Sequence, residues 1–304
     1  MNDVAGVAVL LQNELGEGIV WCEREQALYW TDIQASTLWR YRIDEGALDH
    51  WLLPERLGCF ALCEVDGWLL LGLASRLAFF HPASQTLTPI TEVEAQQPTR
   101  INDGACDRSG RFVFGTFHEP ADGGARLPVG SFYRLNRNLS LERLSLPGVA
   151  ISNSIAFSPG GERMYFCDST TPVIRVCDYG DDCGATSEFA RIDDAHGEPD
   201  GSIVDIAGGL WNAQWGLGRV VRYTPEGRLD SCIEVPASQP TRMALGGADR
   251  STLYITSARL GLDARSLAAQ PLAGSLFAAQ VDVAGLPEPR FAGPPEHVIA
   301  TASS

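Results

Sequence analysis

The chain has 304 residues, a net charge of −15 at pH 7 and 23 basic residues, all of which are arginine. This acidic balance disfavours nucleic acid and anionic membranes as partners, since both bind through a basic surface. The absence of lysine excludes a Schiff base, a lysine general base and the phosphate-binding loop that ends in Gly-Lys.

A short apolar strand recurs six times along the chain. The six strands begin at Leu28, Leu69, Phe112, Met164, Leu210 and Leu253. A repeat of roughly 40–50 residues with several strands in each unit is typical of a β-propeller. No linker interrupts the repeat, and Gly, Pro and Asp separate four strands in each unit. The sequence therefore predicts an all-β fold, with one six-bladed β-propeller domain over residues 1–304 and four-stranded antiparallel blades around a central channel.

The two ends of the chain lie outside the repeat. An open strand edge invites aggregation, so we expect residues 7–12 to supply a strand that closes the last blade. Residues 291–304 are expected to form a C-terminal tail. There is no signal-peptide pattern and no apolar stretch of membrane-spanning length, and most of the eight cysteines fall in apolar strands. We therefore expect a cytoplasmic protein with reduced thiols.

One residue stands at a fixed position just ahead of the first strand of each unit. These residues are Glu17, Cys59, Asn102, Asn153, Asp200 and Arg242. Equivalent positions of propeller blades converge on one axis, so the six residues are expected to meet at one mouth of the channel, which we call the top. Strand direction alternates within a blade, and this places the long loops 117–130 and 257–274 at the same mouth as a rim.

Three of these residues form a candidate metal site. Glu17, Asn153 and Asp200 offer only oxygen ligands, which suit hard or borderline divalent ions. Asn or Asp before Gly or Ser is also a common turn residue. The position shared by all three residues is what favours the metal site.

A second candidate group lies at the same mouth. Arg100 and Asn102 are two residues apart on an extended segment, so they point the same way and could hold hydroxyl or carbonyl groups. The alternative is a structural ion pair between Arg100 and Asp103. Glu119 lies in the first long loop, and His118 beside it could titrate near neutral pH.

The segments that carry these residues resemble the senescence-marker-protein/gluconolactonase family, which includes regucalcin and bacterial sugar lactonases. The matching segments are Leu15-Gly16-Glu17-Gly18 with Trp21, Arg100-Ile101-Asn102-Asp103-Gly104, Ile151-Ser152-Asn153-Ser154, Pro199-Asp200-Gly201 with Asp205, Leu210-Trp211-Asn212-Ala213 and Arg219-Val220-Val221-Arg222-Tyr223. They cover nearly the whole chain in the family's order. The family often has Asn-Gly where this chain has Asn153-Ser154, and two consecutive acids where it has Glu119-Pro120.

The resemblance implies a function and a role for each candidate residue. The implied reaction is metal-dependent hydrolysis of a sugar lactone to its aldonic acid, with the metal polarising the lactone carbonyl and activating water. Glu17, Asn153 and Asp200 match the metal ligands, Arg100 and Asn102 match substrate-binding positions, and Glu119 stands where a further substrate contact is expected. We assign proton transfer to Asp200.

The cofactor and the alternatives stay open at this point. One divalent ion is expected, and calcium, zinc, manganese and ferrous iron all fit an oxygen ligand set with added water. The partner is a small-molecule sugar lactone, and no nucleic acid or membrane is expected. The alternatives are a metal-dependent esterase or organophosphate-type hydrolase on the same propeller, a non-catalytic binding propeller, or a cation-buffering protein.

Overall fold

A computed structural model describes residues 3–295 and confirms the predicted six-bladed β-propeller. Two short strands, β1 (Asp3–Val4) and β2 (Gly6–Val9), come before the first blade. Blade 1 contains β3 (Gly16–Cys22), β4 (Ala27–Asp32), β5 (Thr37–Arg42) and β6 (Ala47–Leu52). Blade 2 contains β7 (Leu57–Leu62), β8 (Leu69–Leu73), β9 (Arg76–His81) and β10 (Thr86–Glu92). Blade 3 contains β11 (Thr99–Cys106), β12 (Phe112–His118), β13 (Phe132–Leu135) and β14 (Leu141–Arg143).

The second half of the ring repeats this order. Blade 4 contains β15 (Ser152–Phe157), β16 (Arg163–Asp168), β17 (Val173–Tyr179) and β18 (Cys183–Arg191). Blade 5 contains β19 (Glu198–Val204), β20 (Leu210–Trp215), β21 (Arg219–Tyr223) and β22 (Leu229–Glu234). Blade 6 contains β23 (Pro240–Gly246), β24 (Thr252–Ser257) and β25 (Leu276–Gln280), and the loop after β24 carries the short helix α1 (Ala264–Ala269).

The N-terminal segment lies across the last two blades. Strand β2 pairs antiparallel with β25 and is the outermost strand of blade 6, while β1 pairs in parallel with β22 on the outer edge of blade 5. The strand expected at residues 7–12 is thus found at Gly6–Val9. One continuous stretch of chain covers two outer edges, including the one left open where the ring closes.

Each innermost strand contains a β-bulge, and the six bulges lie at equivalent positions. The register shifts fall between Glu17 and Val20, Leu57 and Cys59, Ile101 and Gly104, Asn153 and Ala156, Pro199 and Ser202, and Pro240 and Met243. The repeated residues were predicted just ahead of the first strands. They lie instead inside these strands, at the bulge. A bulge bends a strand and re-aims its side chains, which turns Glu17, Asn153 and Asp200 toward the axis. Cys59, expected at the same mouth, packs instead in the core between blades 2 and 3.

The hydrophobic core is divided among the interfaces between neighbouring blades. Six clusters of buried side chains lie there, one for each pair of adjacent blades. Six of the eight cysteines are buried and all eight are free, so they act as small apolar side chains in this packing. Because every blade supports both neighbours, the channel-facing strands are held by core on each side.

A segment after β25 crosses the bottom of the channel. We call residues 282–295 the bottom strap. Gly285 bridges to Asp205 of blade 5, and Phe291 bridges to Cys63 of blade 2 and is fully buried. Blades 5 and 2 stand opposite one another in a ring of six, so the strap passes across the axis. Residues 296–304 of the expected C-terminal tail lie outside the described residues.

The secondary structure between residues 3 and 295 contains little helix. No helix in this part of the chain is long and apolar enough to cross a membrane.

Candidate active site

A pocket of about 250 Å³ opens at the top of the channel. We call Glu17, Asn153 and Asp200 its floor. Its polar wall is formed by Arg100, Asn102 and Glu119, and its apolar wall by Leu15, Ile33, Trp215 and Leu260. All six residues predicted to form the site therefore line one pocket, although the sequence positions of the first and last are far apart.

The floor residues come from the inner strands of blades 1, 4 and 5. The residues that follow Glu17 and Asn153, Gly18 and Ser154, have positive φ values of 58° and 64°. Glycine adopts this conformation freely, whereas for serine it costs of order 1 kcal/mol. Ser154 is fully buried and its hydroxyl is hydrogen-bonded to that of Ser202, so surrounding structure holds the bend. The bend keeps the Asn153 side chain in the pocket.

The polar atoms of the floor differ in how well they are bonded. Asn153 Nδ2 donates to Ser169 Oγ at 3.0 Å, and Asn153 Oδ1 accepts from Asn102 Nδ2 at 3.2 Å. Glu17 Oε2 accepts the backbone N–H of Gly18 at 3.0 Å. Asp200 Oδ1 is buried and has no hydrogen-bond partner within residues 3–295. Such an atom is costly unless another group or ion binds it.

Two carboxyl groups of the floor lie within hydrogen-bond reach of one another. Burial, followed by the charge of Asp103, raises the pKa of Glu17 from its ordinary value of 4.5 to about 7. Burial, followed by the charge of Glu17, raises the pKa of Asp200 well above its usual range. The floor therefore disfavours two negative charges side by side unless a proton or a cation stands between them.

An ion pair lies directly beneath the floor. Arg242 Nη1 donates to Asp103 Oδ1, and both side chains are about 5% exposed. Arg242 also lines a small cavity of about 60 Å³ that the bottom strap closes from below. Arg242 was expected at the mouth with the other repeated residues. It lies below them because its guanidinium is drawn down to a carboxylate of blade 3.

The polar wall is built around Arg100. Its Nε donates to Glu119 Oε1 at 3.1 Å, and its Nη1 donates to Asn102 Oδ1 at 2.7 Å and to Ile101 O at 3.0 Å. The alternative pair with Asp103 is not formed. The guanidinium carbon of Arg100 also lies 4.3 Å from the ring centre of Phe117, which is a cation–π contact. Arg100 Nη2 has no protein partner in the described part of the chain and can donate to a ligand.

The hydrogen-bonding capacity of Asn102 is largely used within the protein. Its Nδ2 group donates to Ser152 O at 2.8 Å and to Asn153 Oδ1 at 3.2 Å. Its Oδ1 accepts from Arg100 and keeps one free lone pair. Asn102 therefore connects the polar wall to the floor and offers a ligand one acceptor.

Both long loops reach the rim of the pocket, as expected. Phe117, Glu119 and Arg126 from the first loop and Leu260 from the second line the pocket. His118 is buried and does not line it, because its Nδ1 accepts the backbone N–H of Leu127 at 2.8 Å. This histidine supports the loop from within.

Sequence reasoning missed several residues at this mouth. Ile33 follows the second strand of blade 1, Trp215 ends the second strand of blade 5, and Arg56 precedes the inner strand of blade 2. Strand alternation also places every connection between blades at the top, and that rule could have pointed to Arg56. The two long loops stand out in the sequence by their length, whereas the connections between blades have only a few residues each.

The floor residues fit a divalent cation. The two carboxyl groups have raised pKa values, Asp200 Oδ1 is unpartnered, and Asn153 supplies an amide oxygen. Residues 3–295 contain no cluster of three or more histidine, cysteine, aspartate or glutamate side chains placed for a metal ion. The amide oxygen of Asn153 would have to be the third protein ligand of such an ion, and oxygen ligands of this kind suit hard cations.

Comparison with known proteins gives consistent matches over most of the chain. Residues 15–259 match the SMP-30/gluconolactonase/LRE-like region. An L-arabinolactonase of Azospirillum brasilense is 54% identical over 298 residues, which covers 96% of this chain and 97% of that protein. A 6-deoxy-6-sulfogluconolactonase of Pseudomonas putida is 38% identical and covers 96% of this chain and 100% of that protein.

A solved structure matches the propeller closely. Regucalcin from Agrobacterium tumefaciens, described as a calcium-binding protein, is 29% identical and superposes with a TM-score of 0.88. The match covers 95% of this chain and 98% of the other.

Proposed function

The chain belongs to the SMP-30/gluconolactonase/LRE-like family, and from this premise we propose that it hydrolyses a sugar lactone to the open-chain aldonic acid with the help of a divalent cation. The observation that carries the proposal is the pocket in which an acidic floor and a polar wall face one substrate-sized space. The reaction class is hydrolysis of a cyclic carboxylic ester. Two relatives that match nearly the full chain are lactonases.

The substrate class follows from one of these relatives. An L-arabinolactonase shares 54% of its residues with this chain, so a five-carbon aldonolactone is the first substrate to test. The space of about 250 Å³ accommodates one monosaccharide and bound water. The apolar wall offers Trp215 and Leu260 to the C–H face of a sugar ring, while the opposite wall offers hydrogen bonds.

Glu17, Asn153 and Asp200 would hold the cation. A divalent ion bound there would polarise the lactone carbonyl and lower the pKa of a bound water. Its identity stays open among calcium, zinc, manganese and ferrous iron. The similarity to a calcium-binding regucalcin supports a divalent ion without selecting one.

Proton transfer falls to Asp200 in this scheme. Its carboxyl lines the pocket, and Oδ1 has no hydrogen-bond partner among the described residues. Once its charge is balanced, this carboxylate can accept a proton from the attacking water and return it to the ring oxygen as the C–O bond of the lactone breaks. The water oxygen becomes part of the new carboxylate, and the former ring oxygen becomes a hydroxyl.

The polar wall orients the sugar. Arg100 Nη2 is free to donate to a hydroxyl or carbonyl oxygen, and Glu119 can accept from a hydroxyl. Asn102 offers its remaining lone pair and keeps Asn153 in place through Nδ2. Positioning of this kind supplies much of the rate gain when no covalent nucleophile is used.

The test uses protein stripped by a chelator and then given single divalent metals. Acid release is followed at constant pH from a pentonolactone, a hexonolactone, a sulfonated hexonolactone, an aryl ester and a phosphotriester. We expect metal-dependent acid release from at least one sugar lactone. Turnover of the aryl ester or phosphotriester alone would assign the pocket to the other hydrolase class, and no turnover with any metal would refute the proposal.

The eight free cysteines support a reducing compartment as the place of action. We propose the cytoplasm on this basis.

A further inference from the structure

Arg56 lies behind the polar wall and forms an ion pair with Glu119 from outside the pocket. Its Nη1 donates to Glu119 Oε1 at 2.8 Å and its Nη2 donates to Glu119 Oε2 at 2.5 Å. This is a bidentate ion pair, and we call the two donors of Arg56 its fork. The two side chains are 32% and 33% exposed. We propose that Arg56 is a positioning residue that holds the Glu119 carboxylate in the orientation that binds sugar hydroxyls, a proposal that rests on the proposed lactonase function.

Arg56 acts through Glu119 because it does not reach the ligand space itself. Arg56 is not among the residues that line the pocket, whereas Glu119 is. An arginine fork fixes a carboxylate in both direction and plane, which a single charge cannot do. A substrate hydroxyl would therefore meet acceptor lone pairs whose direction is already set.

The backbones on both sides of this ion pair are also fixed. The N–H of Ala74 donates to Arg56 O at 2.8 Å, and the N–H of Glu119 donates to Pro98 O at 2.8 Å. Pro120 further restricts the backbone of Glu119 to extended conformations. The free variables that remain are the side-chain torsions of Glu119, and the fork of Arg56 fixes these.

Glu119 connects Arg56 to the floor of the pocket. Glu119 Oε1 accepts from Arg100 Nε at 3.1 Å, and Arg100 Nη1 donates to Asn102 Oδ1 at 2.7 Å. Asn102 Nδ2 then donates to Asn153 Oδ1 at 3.2 Å. A continuous series of hydrogen bonds thus runs from blade 2 across blade 3 to the candidate metal ligand of blade 4, and Arg56 is its outer end.

Removing the fork would leave one carboxylate oxygen without a partner. Glu119 Oε2 has Arg56 Nη2 as its donor, whereas Oε1 would keep Arg100 Nε. The Glu119 carboxylate would then be held by one hydrogen bond only and could rotate. The direction of its acceptor lone pairs would no longer be fixed. Glu119 is flanked by His118 and Pro120, so no carboxylate adjacent in sequence can substitute for it.

A matched control lies one residue away. Glu55, next to Arg56 in sequence, pairs with Arg76 Nη2 at 2.6 Å in the same blade, and the two side chains are 19% and 38% exposed. Neither Glu55 nor Arg76 lines the pocket. An Arg76→Met substitution therefore breaks an ion pair of similar exposure without touching Glu119.

The experiment compares Arg56→Met, Arg56→Lys, Glu119→Gln and Arg56→Met/Glu119→Gln with wild type and Arg76→Met. KM and kcat are measured for the best lactone and for analogues that each lack one hydroxyl. For Arg56→Met we expect KM to rise about tenfold while kcat changes by less than about twofold, since uniform binding is lost. Arg56→Lys should recover part of the loss, because charge is restored without the fork.

Two results identify the route through Glu119. In the Glu119→Gln background, Arg56→Met should change KM by less than about twofold, and the effect of Arg56→Met should shrink for the analogue that lacks the hydroxyl bound by Glu119. Arg76→Met should keep wild-type KM. Equal KM effects of Arg56→Met with and without Glu119, or equal effects of Arg56→Met and Arg76→Met, would overturn the proposal.

Failure of the proposal is distinct from failure of the proposed function. If wild type releases acid from no sugar lactone, the lactonase assignment fails and with it the basis of this inference. If wild type is active and Arg56→Met keeps its KM, only the role of Arg56 is refuted. Melting temperatures of all variants show that any loss of binding is measured on folded protein.

Discussion

At the scale of single residues, the site depends on side chains held against their own preferences. Glu17 and Asp200 are two carboxyl groups pressed together, and both have raised pKa values. Ser154 has a left-handed backbone. Unfavourable features of this kind concentrate at functional sites because the surrounding fold holds them in place.

Asp200→Asn tests the role assigned to that carboxylate. The amide keeps the size of the side chain but neither accepts a proton as a base nor supplies negative charge. We expect turnover of the best lactone to fall by at least about 100-fold, the scale of a lost general base. Initial rates at saturating metal measure this. Asp230→Asn, which alters a surface ion pair of the same blade, is the control and should keep its rate. A near-normal rate for Asp200→Asn would remove Asp200 from the mechanism.

The raised pKa of Glu17 predicts a pH dependence of stability in metal-free protein. A carboxyl whose pKa rises on folding, here from 4.5 to about 7, holds more protons in the folded state than in the unfolded state between these values. The contribution of Glu17 to the free energy of unfolding should therefore decrease by about 3 kcal/mol as pH rises through this window, and Asp200, whose pKa is also raised, acts in the same direction. Urea unfolding at several pH values in chelator measures it. Glu17→Gln should make the profile less steep, and a profile of the opposite slope in wild type would contradict the assignment.

Residue patterns predicted the floor and the polar wall but not all of their partners. Glu17, Asn153 and Asp200 share one position in the repeat, so the symmetry of a propeller is sufficient to predict that they meet. Arg56 and Arg242 bind carboxylates 63 and 139 residues away in sequence, and neither pairing follows from the repeat. Side-chain partners of this kind depend on torsions that periodicity does not encode.

At the scale of elements, the six bulges convert a repeated strand into a site. The bulges of blades 1, 4 and 5 lie at matching positions and turn Glu17, Asn153 and Asp200 toward the axis. The six recurring apolar strands are the second strands of the blades, and each begins within one residue of its predicted start because apolar runs mark it. The inner strand of blade 5 spans Glu198–Val204 and so includes Asp200, which was predicted just ahead of it, because Pro199 and Gly201 are unfavourable in a strand and obscure its start in the sequence. Helix α1 was not predicted because six residues carry too little periodicity.

Deleting residues 1–9 tests the role of the N-terminal segment. The deletion removes β2 from blade 6 and β1 from blade 5, so the edges of β25 and β22 lose their cover. We expect the melting temperature to fall by about 5 °C or more and larger species to form through the open edges. Calorimetry and size-exclusion chromatography measure the two effects. Val7→Thr, which keeps the strand backbone and alters a side chain that is 42% exposed, should behave as wild type. Unchanged melting of the deletion variant would show that blade closure does not depend on this segment.

At the scale of the whole molecule, the ring makes distant blades cooperate. The floor draws one residue from each of blades 1, 4 and 5, and the polar wall adds blade 3 with Arg56 behind it from blade 2. Periodicity in the sequence was sufficient to predict this closed ring. The bottom strap was not predicted, because residues 282–295 belong to no repeat and follow the last blade.

Metal removal should affect the stability of the entire propeller. A ligand that binds only the folded state at about 100 times its Kd adds about 2.7 kcal/mol, which raises the melting temperature by about 5 °C in a domain of this size. Thermal melts of chelator-treated protein with and without each metal measure the shift. The double variant Glu17→Gln/Asp200→Asn should show no shift. An equal shift in that variant would locate the ion elsewhere.

The bottom strap leaves the central channel open at one end only. Phe291 and Gly285 anchor it to blades 2 and 5 at the bottom of the channel. In the described part of the chain, substrate and product therefore enter and leave through the top. Each product acid must dissociate through the same opening before another lactone binds. We therefore expect the accumulating acid to compete with the lactone for the pocket and the progress curves to level off before the lactone is exhausted.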